Sequence, residues 1–154
     1  MEKTIQEKLS VLSSIAEKLN SAHIVWAVGA SALLYFHALV PDFHDLDIMV
    51  DSRDALRAKE LLQSMGSLQP SLREARYQTQ YFFEFLIGGV EVDLMGGFAI
   101  LRDGVVHDCG LEPSQITGST QINGQRIPLH SLHAWRGYYS LMGRAEKAAL
   151  IGGE

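Results

Sequence analysis

Two aspartates separated by one leucine are the residues of this chain best placed to do chemistry. They are Asp45 and Asp47, in the segment His44-Asp45-Leu46-Asp47-Ile48-Met49-Val50. Alternation with period 2 puts both carboxylates on one face of a strand and Leu46, Ile48 and Val50 on the other. Neighbouring carboxylates repel each other unless something positive stands between them. A hard divalent cation, which takes oxygen ligands, is the usual remedy. A later segment, Val90-Glu91-Val92-Asp93-Leu94, alternates in the same way and offers Asp93 as a third ligand. The plain alternative is a solvated outer face of a sheet.

Upstream lies Gly29-Ala30-Ser31, between a buried apolar run and an apolar helix. The start of such a helix carries unpaired N–H groups and the positive end of the dipole. Glycine lets a phosphate approach the backbone, and the Ser31 hydroxyl can donate to a phosphate oxygen. The plain alternative is a tight strand–helix turn with Ser31 as N-cap. Other candidates are weaker. His130 and His133 stand three apart at a helix start, a sparse basis for zinc. Cys109 is the single cysteine and has no His/Asp context for a nucleophile. Arg73, Arg76 and Arg102 could reach a phosphate tail or simply face water. Trp135, Tyr138, Tyr139 and Met142 form an aromatic stripe at helical spacing, which reads as core or as a dimer contact.

The elements that must position these residues follow from periodicity. Residues 4–19 predict an amphipathic helix, 23–28 a buried strand, 31–40 a helix stopped by Pro41, and 45–50 the acidic strand. Asp51 or Ser52 caps a helix over 53–65 that Gly66 ends. The aromatic run 77–87 predicts a strand that turns at Gly88-Gly89 into a return strand over 90–95. That turn fixes a register: Ile87 faces Val90, Leu86 faces Glu91, Phe85 faces Val92 and Glu84 faces Asp93. Phe83, Phe85, Ile87, Val90, Val92 and Leu94 then share the core face, and Glu84, Glu91 and Asp93 the other. A small hairpin is expected around Asp103-Gly104. Residues 109–127 read as turn-rich with short strand pieces, and Ser131 caps a last helix that Gly143 breaks. The whole predicts an α+β fold: one mixed sheet, helices 4–19, 31–40 and 53–65 on its apolar side, and a short C-terminal helical segment on the sheet edge.

Composition sets limits. The 154 residues suit a single domain, with a core at about 22–96. The net charge of -5 gives no electrostatic footprint for duplex nucleic acid. The charged N-terminus is not a signal peptide, and no apolar run is long enough for a membrane span, so a cytoplasmic location is the expectation.

Taken together, the glycine turn, the Asp45-x-Asp47 strand and the later Asp93 strand resemble the polymerase-β-type nucleotidyltransferase superfamily. The aromatic strand at 81–87 is most similar to the small branch of aminoglycoside and lincosamide nucleotidyltransferases and to toxin–antitoxin nucleotidyltransferases. The resemblance implies that Asp45, Asp47 and Asp93 hold magnesium, two ions in the active complex. It also implies that Gly29, Ala30 and Ser31 hold the phosphates of a nucleoside triphosphate such as ATP. The implied reaction moves a nucleoside monophosphate to a hydroxyl of a small molecule or protein, with Asp93 as general base. The chain departs from the pattern twice. Ala30 replaces a second glycine, and the loop before the acidic strand, Pro41-Asp42-Phe43-His44, lacks the usual Arg or Lys, so that His44 is left as the partial substitute. Two rivals stay open: a catalytically inactive binding module of the same fold, antitoxin-like or regulatory, and an unrelated binding domain. An open cleft suited to a large or protein acceptor, or closed by a second subunit, is the further expectation.

Overall fold

The computed structural model describes residues 3–70 and 77–152. Arg73 and Arg76 lie outside the described residues. Helix α1 (Ile5–Ser21) opens with a capping box: the Glu7 N–H donates to the Thr4 hydroxyl at 3.1 Å and the Thr4 N–H to the Glu7 carboxylate at 2.8 Å. Its stripe of Leu12, Ile15, Ala16 and Leu19 is buried. The expected strand at 23–28 starts later, as β1 (Trp26–Gly29), because His23 at φ 58 closes α1. The Ile24 N–H reaches back to Leu19 and that of His23 to Asn20, the paired bonds of a Schellman ending.

Helix α2 (Ala30–Phe36) stops short of the expected Val40 for the same reason. Ala38 takes φ 60, the Leu39 N–H bonds the Leu34 carbonyl and the Ala38 N–H that of Tyr35. Neither ending carries the glycine that normally announces it.

Strand β2 (Leu46–Val50) leads into a 3-10 turn (Ser52–Asp54) and α3 (Ala55–Gln63), with Asp51 accepting from the Arg53 N–H at 3.0 Å. Strand β3 (Ser67–Gln69) precedes the hairpin of β4 (Tyr81–Ile87) and β5 (Val90–Gly96). Its register is the expected one throughout, including Glu84 opposite Asp93. A separate two-stranded sheet holds β6 (Ala99–Arg102) and β7 (Val105–Asp108).

The short strand pieces expected near Gln121-Ile122 and Arg126-Ile127 are parts of two full strands, β8 (Ile116–Ile122) and β9 (Gln125–His130), joined at Asn123-Gly124. Both turn residues have positive φ, 52 and 80. Helices α4 (Leu132–Leu141) and α5 (Ala145–Ile151) end the described chain. Among the described residues the main sheet has seven strands, in the order β3-β4-β5-β2-β1-β9-β8. It is mixed: β2 runs parallel to β5 and β1 parallel to β9, while the other neighbours are antiparallel.

The faces of the sheet differ. Trp26, Val28, Leu46, Ile48, Val92 and Leu94 form a fully buried apolar face. Helix α3 covers it, since a Cβ on Gly96 would stand 2.7 Å from the Ala55 Cβ. Helix α1 packs beside α3. No helix of the described residues is long and apolar enough to cross a membrane.

Candidate active site

The other face carries a row of side chains running across four strands. Gly29 on β1 is opposite Asp47 on β2, Asp47 is opposite Asp93 on β5, and Asp93 is opposite Glu84 on β4. Register partners share a face, so this row follows from strand pairing alone. Asp45 lies two residues before Asp47, just ahead of the strand, and joins the same face. Asp45, Asp47 and Asp93 each present a carboxylate oxygen within 4.8 Å of the other two.

Three carboxylates so close strain one another's ionisation. Burial, then the charges of Asp45 and Asp93, hold Asp47 well above the usual carboxylate range. Burial, with Asp45 and Glu84 beside it, pushes Asp93 up to about 7. Burial also raises Asp45, against the opposing pull of His44. The cluster therefore retains protons at a pH where isolated aspartates have none. Hard oxygen donors, partly desolvated and short of positive charge, are the donor set that a magnesium ion fits.

The turn after β1 lies at the rim of the same cavity. Gly29 is the N-cap of α2 and makes no side-chain cap bond, so Ser31 is not the cap. Ala30 sits at φ 53, in the left-handed region where a Cβ is disfavoured. Ala30 and Ser31 both line the cavity, as does His44. The His44 Nε2 lies 2.7 Å from a Glu91 carboxylate oxygen, and both side chains are exposed.

The cavity holds about 540 Å³. Opposite the carboxylates its wall is built by α4 and α5: Trp135, Tyr139, Met142, Arg144 and Lys147. The C-terminal segment is thus not on the sheet edge, as the sequence led us to expect. The passage of β9 alongside β1 delivers α4 over the carboxylate face. Ser131 caps the start of α4, its hydroxyl accepting from the Ala134 N–H at 3.1 Å. A Cβ on Gly29 would stand 2.5 Å from the Trp135 ring, so the indole rests on the glycine that ends the row. Trp135 also stacks on Phe98, with ring centroids 5.6 Å apart.

Sequence reasoning found the carboxylates but assigned no role to the cations that face them. Arg144 lowers the pKa of Asp47, which places its charge within reach of the cluster, and its guanidinium lies 5.6 Å from the Tyr139 ring centroid. The signal was faint: Gly143 at φ 76 breaks α4 just before a lone Arg. Thr79 and Glu84 also line the cavity.

Other candidates are accounted for elsewhere. Arg102 donates toward the Ser140 and Leu141 carbonyls at 3.5 and 3.3 Å, so it closes the C-terminal end of α4 rather than reaching for phosphate. His130 is fully buried, its pKa lowered to about 4 by that burial, and it belongs to no metal-binding group among the described residues. Cys109 is buried, and burial, with Asp108 nearby, pushes its thiol up to about 12, which suits an inert side chain.

Comparison with solved structures places this architecture among known ones. A Thermotoga maritima protein described as a nucleotidyltransferase superposes with a TM-score of 0.77 at 24% identity, over 96% of this chain and 91% of that one. ANT(2'')-Ia, solved in complex with adenylyl-2''-tobramycin, gives 0.63 at 13% identity, over 96% and 88%. The lincosamide antibiotic adenylyltransferase LnuA, solved with lincomycin bound, gives 0.62 at 12% identity, over 98% of each chain. The chain matches no curated protein. The sequence model of the aminoglycoside-2''-adenylyltransferase family matches residues 11–150. With that match spanning nearly the whole chain, on a nucleotidyltransferase fold, this protein belongs to the aminoglycoside-2''-adenylyltransferase family and is a nucleotidyltransferase.

Proposed function

We propose that the protein moves AMP from ATP to a hydroxyl of a small, amine-bearing acceptor, with magnesium held by Asp45, Asp47 and Asp93. The observation that carries this reading is the convergence of three carboxylate oxygens within 4.8 Å of one another, facing a wall that bears Arg144 and Lys147. A triphosphate brings negative charge, and a site for it needs cations on one side and a metal cage on the other. Magnesium bound there would stabilise charge on the attacking and leaving oxygens.

The chain's own residues do the rest. Arg144 and Lys147 neutralise the phosphate tail, and Ser31 donates to a phosphate oxygen at the turn. His44 supports Asp45 from the rim. Asp93, on the strand face that meets the acceptor, takes the proton of the acceptor hydroxyl. The acceptor oxygen then bonds to the α-phosphorus, and the bond to the β-phosphate breaks. Pyrophosphate leaves with that electron pair. Trp135, Tyr139 and Phe98 shield the reacting groups from water.

The acceptor class rests on the cavity walls and on the relatives. Glu84 and Asp42 add carboxylates beyond the metal cluster, and Tyr77, Phe82 and Phe98 offer ring faces. Acidic groups with aromatic faces suit a cationic sugar or a related antibiotic. ANT(2'')-Ia and LnuA are named for such acceptors. A cytoplasmic setting, where magnesium and ATP are both abundant, fits this chemistry.

The test is a thermal-shift screen of the four nucleoside triphosphates with magnesium, followed by pyrophosphate release with aminoglycoside and lincosamide acceptors. A magnesium-dependent shift with ATP and acceptor-dependent pyrophosphate is the expected result. Binding of magnesium and ATP with no turnover on any acceptor would instead make the chain a binding module. No shift with any triphosphate would overturn the reading.

A further inference from the structure

The buried stripe of α1 contains a charge. Lys8 falls in helical step with Leu12, Ile15 and Leu19, where an apolar residue would complete the core face, yet its side chain is only 2% exposed. A buried ammonium is costly unless it is paired and hydrogen-bonded. One short loop supplies partners of both kinds. The Lys8 Nζ donates to the Phe43 carbonyl and, at 3.2 Å, to the Asp42 carboxylate. It also lies 5.4 Å from the centroid of the Phe43 ring, which is itself buried edge-on against Tyr35. The same Asp42 carboxylate accepts from the Phe43 N–H at 2.6 Å. Asp42, Phe43 and His44 line the cavity, and Asp45 follows directly.

We infer that Lys8 is a positioning residue for nucleotide transfer: from the far side of the core it pins the 42–44 loop and so sets where Asp45 enters the carboxylate cluster. The loop carries no Arg or Lys of its own. Its ordering cation comes from α1, 34 residues earlier in sequence. Asp45 stands outside the regular strand, which begins at Leu46, so sheet pairing does not fix it as it fixes Asp47 and Asp93. The loop anchor takes over that task. A ligand displaced by about 1 Å is enough to lose much of a catalytic rate. The inference rests on the metal–nucleotide reading above for its functional consequence, but the ordering of the loop does not depend on that reading.

Lys8→Met keeps the stem and removes the charge, and Lys8→Arg keeps a charged donor. Full-length protein of each kind is compared by amide hydrogen exchange and by transfer kinetics. For Lys8→Met we expect a melting temperature lower by only a few degrees, because the Asp42 left behind is exposed and the Phe43 carbonyl alone loses a buried donor. Exchange at residues 43–47 should quicken at least about tenfold while β4 and β5 are unchanged. The KM for magnesium-ATP should rise about tenfold with the acceptor KM unmoved, and Lys8→Arg should recover part of that rise. Parental exchange and parental KM in a folded Lys8→Met protein would overturn the inference. So would a uniform loss in which every KM, the melting temperature and exchange throughout the sheet change together. If Lys8→Met does not fold, Asp42→Asn at the exposed end of the pair decides by the same exchange measurement: local quickening supports the anchor, and parental exchange overturns it. A parent protein that shows no magnesium-ATP shift would count against the proposed function, and the exchange arm would still decide whether Lys8 holds the loop.

Discussion

The two walls of the cavity are built by different means. The strand wall, with Asp47, Asp93 and Glu84, is set by register between neighbouring strands. The helix wall, with Trp135, Tyr139, Arg144 and Lys147, is set by where β9 lies in the sheet and how α4 leaves it. The first is local and repetitive; the second is a consequence of topology. The carboxylate wall stores repulsion that a cation would relieve, whereas the helix wall is mostly aromatic packing with two cations at its end. The contrast suggests a division of labour: metal and proton transfer on the strands, phosphate charge and water exclusion on the helices.

The sharpest way to break this division is Asp47→Asn. Removing one ligand charge should abolish the thermal shift with magnesium and ATP and reduce transfer about 10³-fold, a loss typical of removing a preorganised electrostatic contact. The metal-free variant should nevertheless melt higher than its parent near neutral pH, because a buried group whose ionisation the fold opposes is gone. The sign follows from linkage. Asp93 rises from an ordinary 3.8 to about 7 in the folded state, so between those values the folded protein binds more protons than the unfolded one. Stability of the metal-free protein must then fall as pH rises from about 4 to about 7, and Asp47→Asn should flatten that slope. Calorimetry across this range checks both points. A metal-free parent that gains stability over the same interval would contradict the strand-wall account.

The same experiment on the helix wall is Arg144→Ala. If Arg144 serves the phosphate tail, the loss should appear mainly in KM for ATP, about 10- to 100-fold, with the acceptor KM little changed. In contrast to Asp47→Asn, the metal-free protein should gain no stability, since a cation facing the carboxylates is removed. A defect confined to the acceptor KM would reassign the residue.

How far each wall could be read in the sequence follows the same divide. Period 2 and the Gly88-Gly89 turn were enough to place Glu84 opposite Asp93, because a two-residue hairpin admits one register. Asp93 was expected beside Asp45 and Asp47 across a neighbouring strand; the register that sets Asp47 opposite Asp93 comes from the parallel pairing of β2 with β5. The β8–β9 hairpin was read only as short strand pieces, for a physical reason. Gly118, Ser119 and Gln121 face water at the sheet edge, so the strand has no apolar alternation to read, and Pro128 argues against a strand. Asn123-Gly124 was the available signal, a pair that favours two positive φ angles. With β9 read only as a fragment and not beside β1, nothing could say that α4 crosses the carboxylate face, and its aromatic stripe looked like a contact in search of a partner. Lys8 and Ala38 were hidden in another way. Each departs from a local preference, a charge in an apolar stripe and an alanine where glycine is usual, and only tertiary partners show why.

Gly29 is where the walls touch, and it allows a test of their coupling. Its φ of -123 is ordinary extended backbone, so alanine is acceptable there on conformational grounds. The obstacle is contact: the new Cβ would meet the Trp135 ring at 2.5 Å. Gly29→Ala should therefore cost about 1–3 kcal/mol as overpacking and shift α4 away from the carboxylates. Trp135→Phe alone should also destabilise, by loss of buried ring. In the double variant the costs should be non-additive by about 1 kcal/mol, since the smaller ring frees the space that the methyl needs. Strict additivity would mean that the two walls are not in mechanical contact.

The smallest expected effect is at the next residue. Ala30 holds φ 53 at the lip of the cavity and Ala38 holds φ 60 at the end of α2, so the same strain occurs once inside the site and once outside it. Glycine at either position removes a left-handed penalty of about 1 kcal/mol and adds nearly as much backbone entropy to the unfolded chain. Each Ala→Gly variant should therefore change stability by less than about 1 kcal/mol, most readily upward at Ala38, where the Schellman ending favours glycine. Function should separate the pair. Ala38→Gly should leave transfer kinetics at parental values. Ala30→Gly should change KM for ATP about two- to threefold, because the backbone that carries Ser31 becomes freer to move around the phosphates. Equal, negligible effects on KM at both positions would show that the turn after β1 only connects strand to helix, and the phosphate role assigned to Gly29, Ala30 and Ser31 would then pass to the cations of the helix wall.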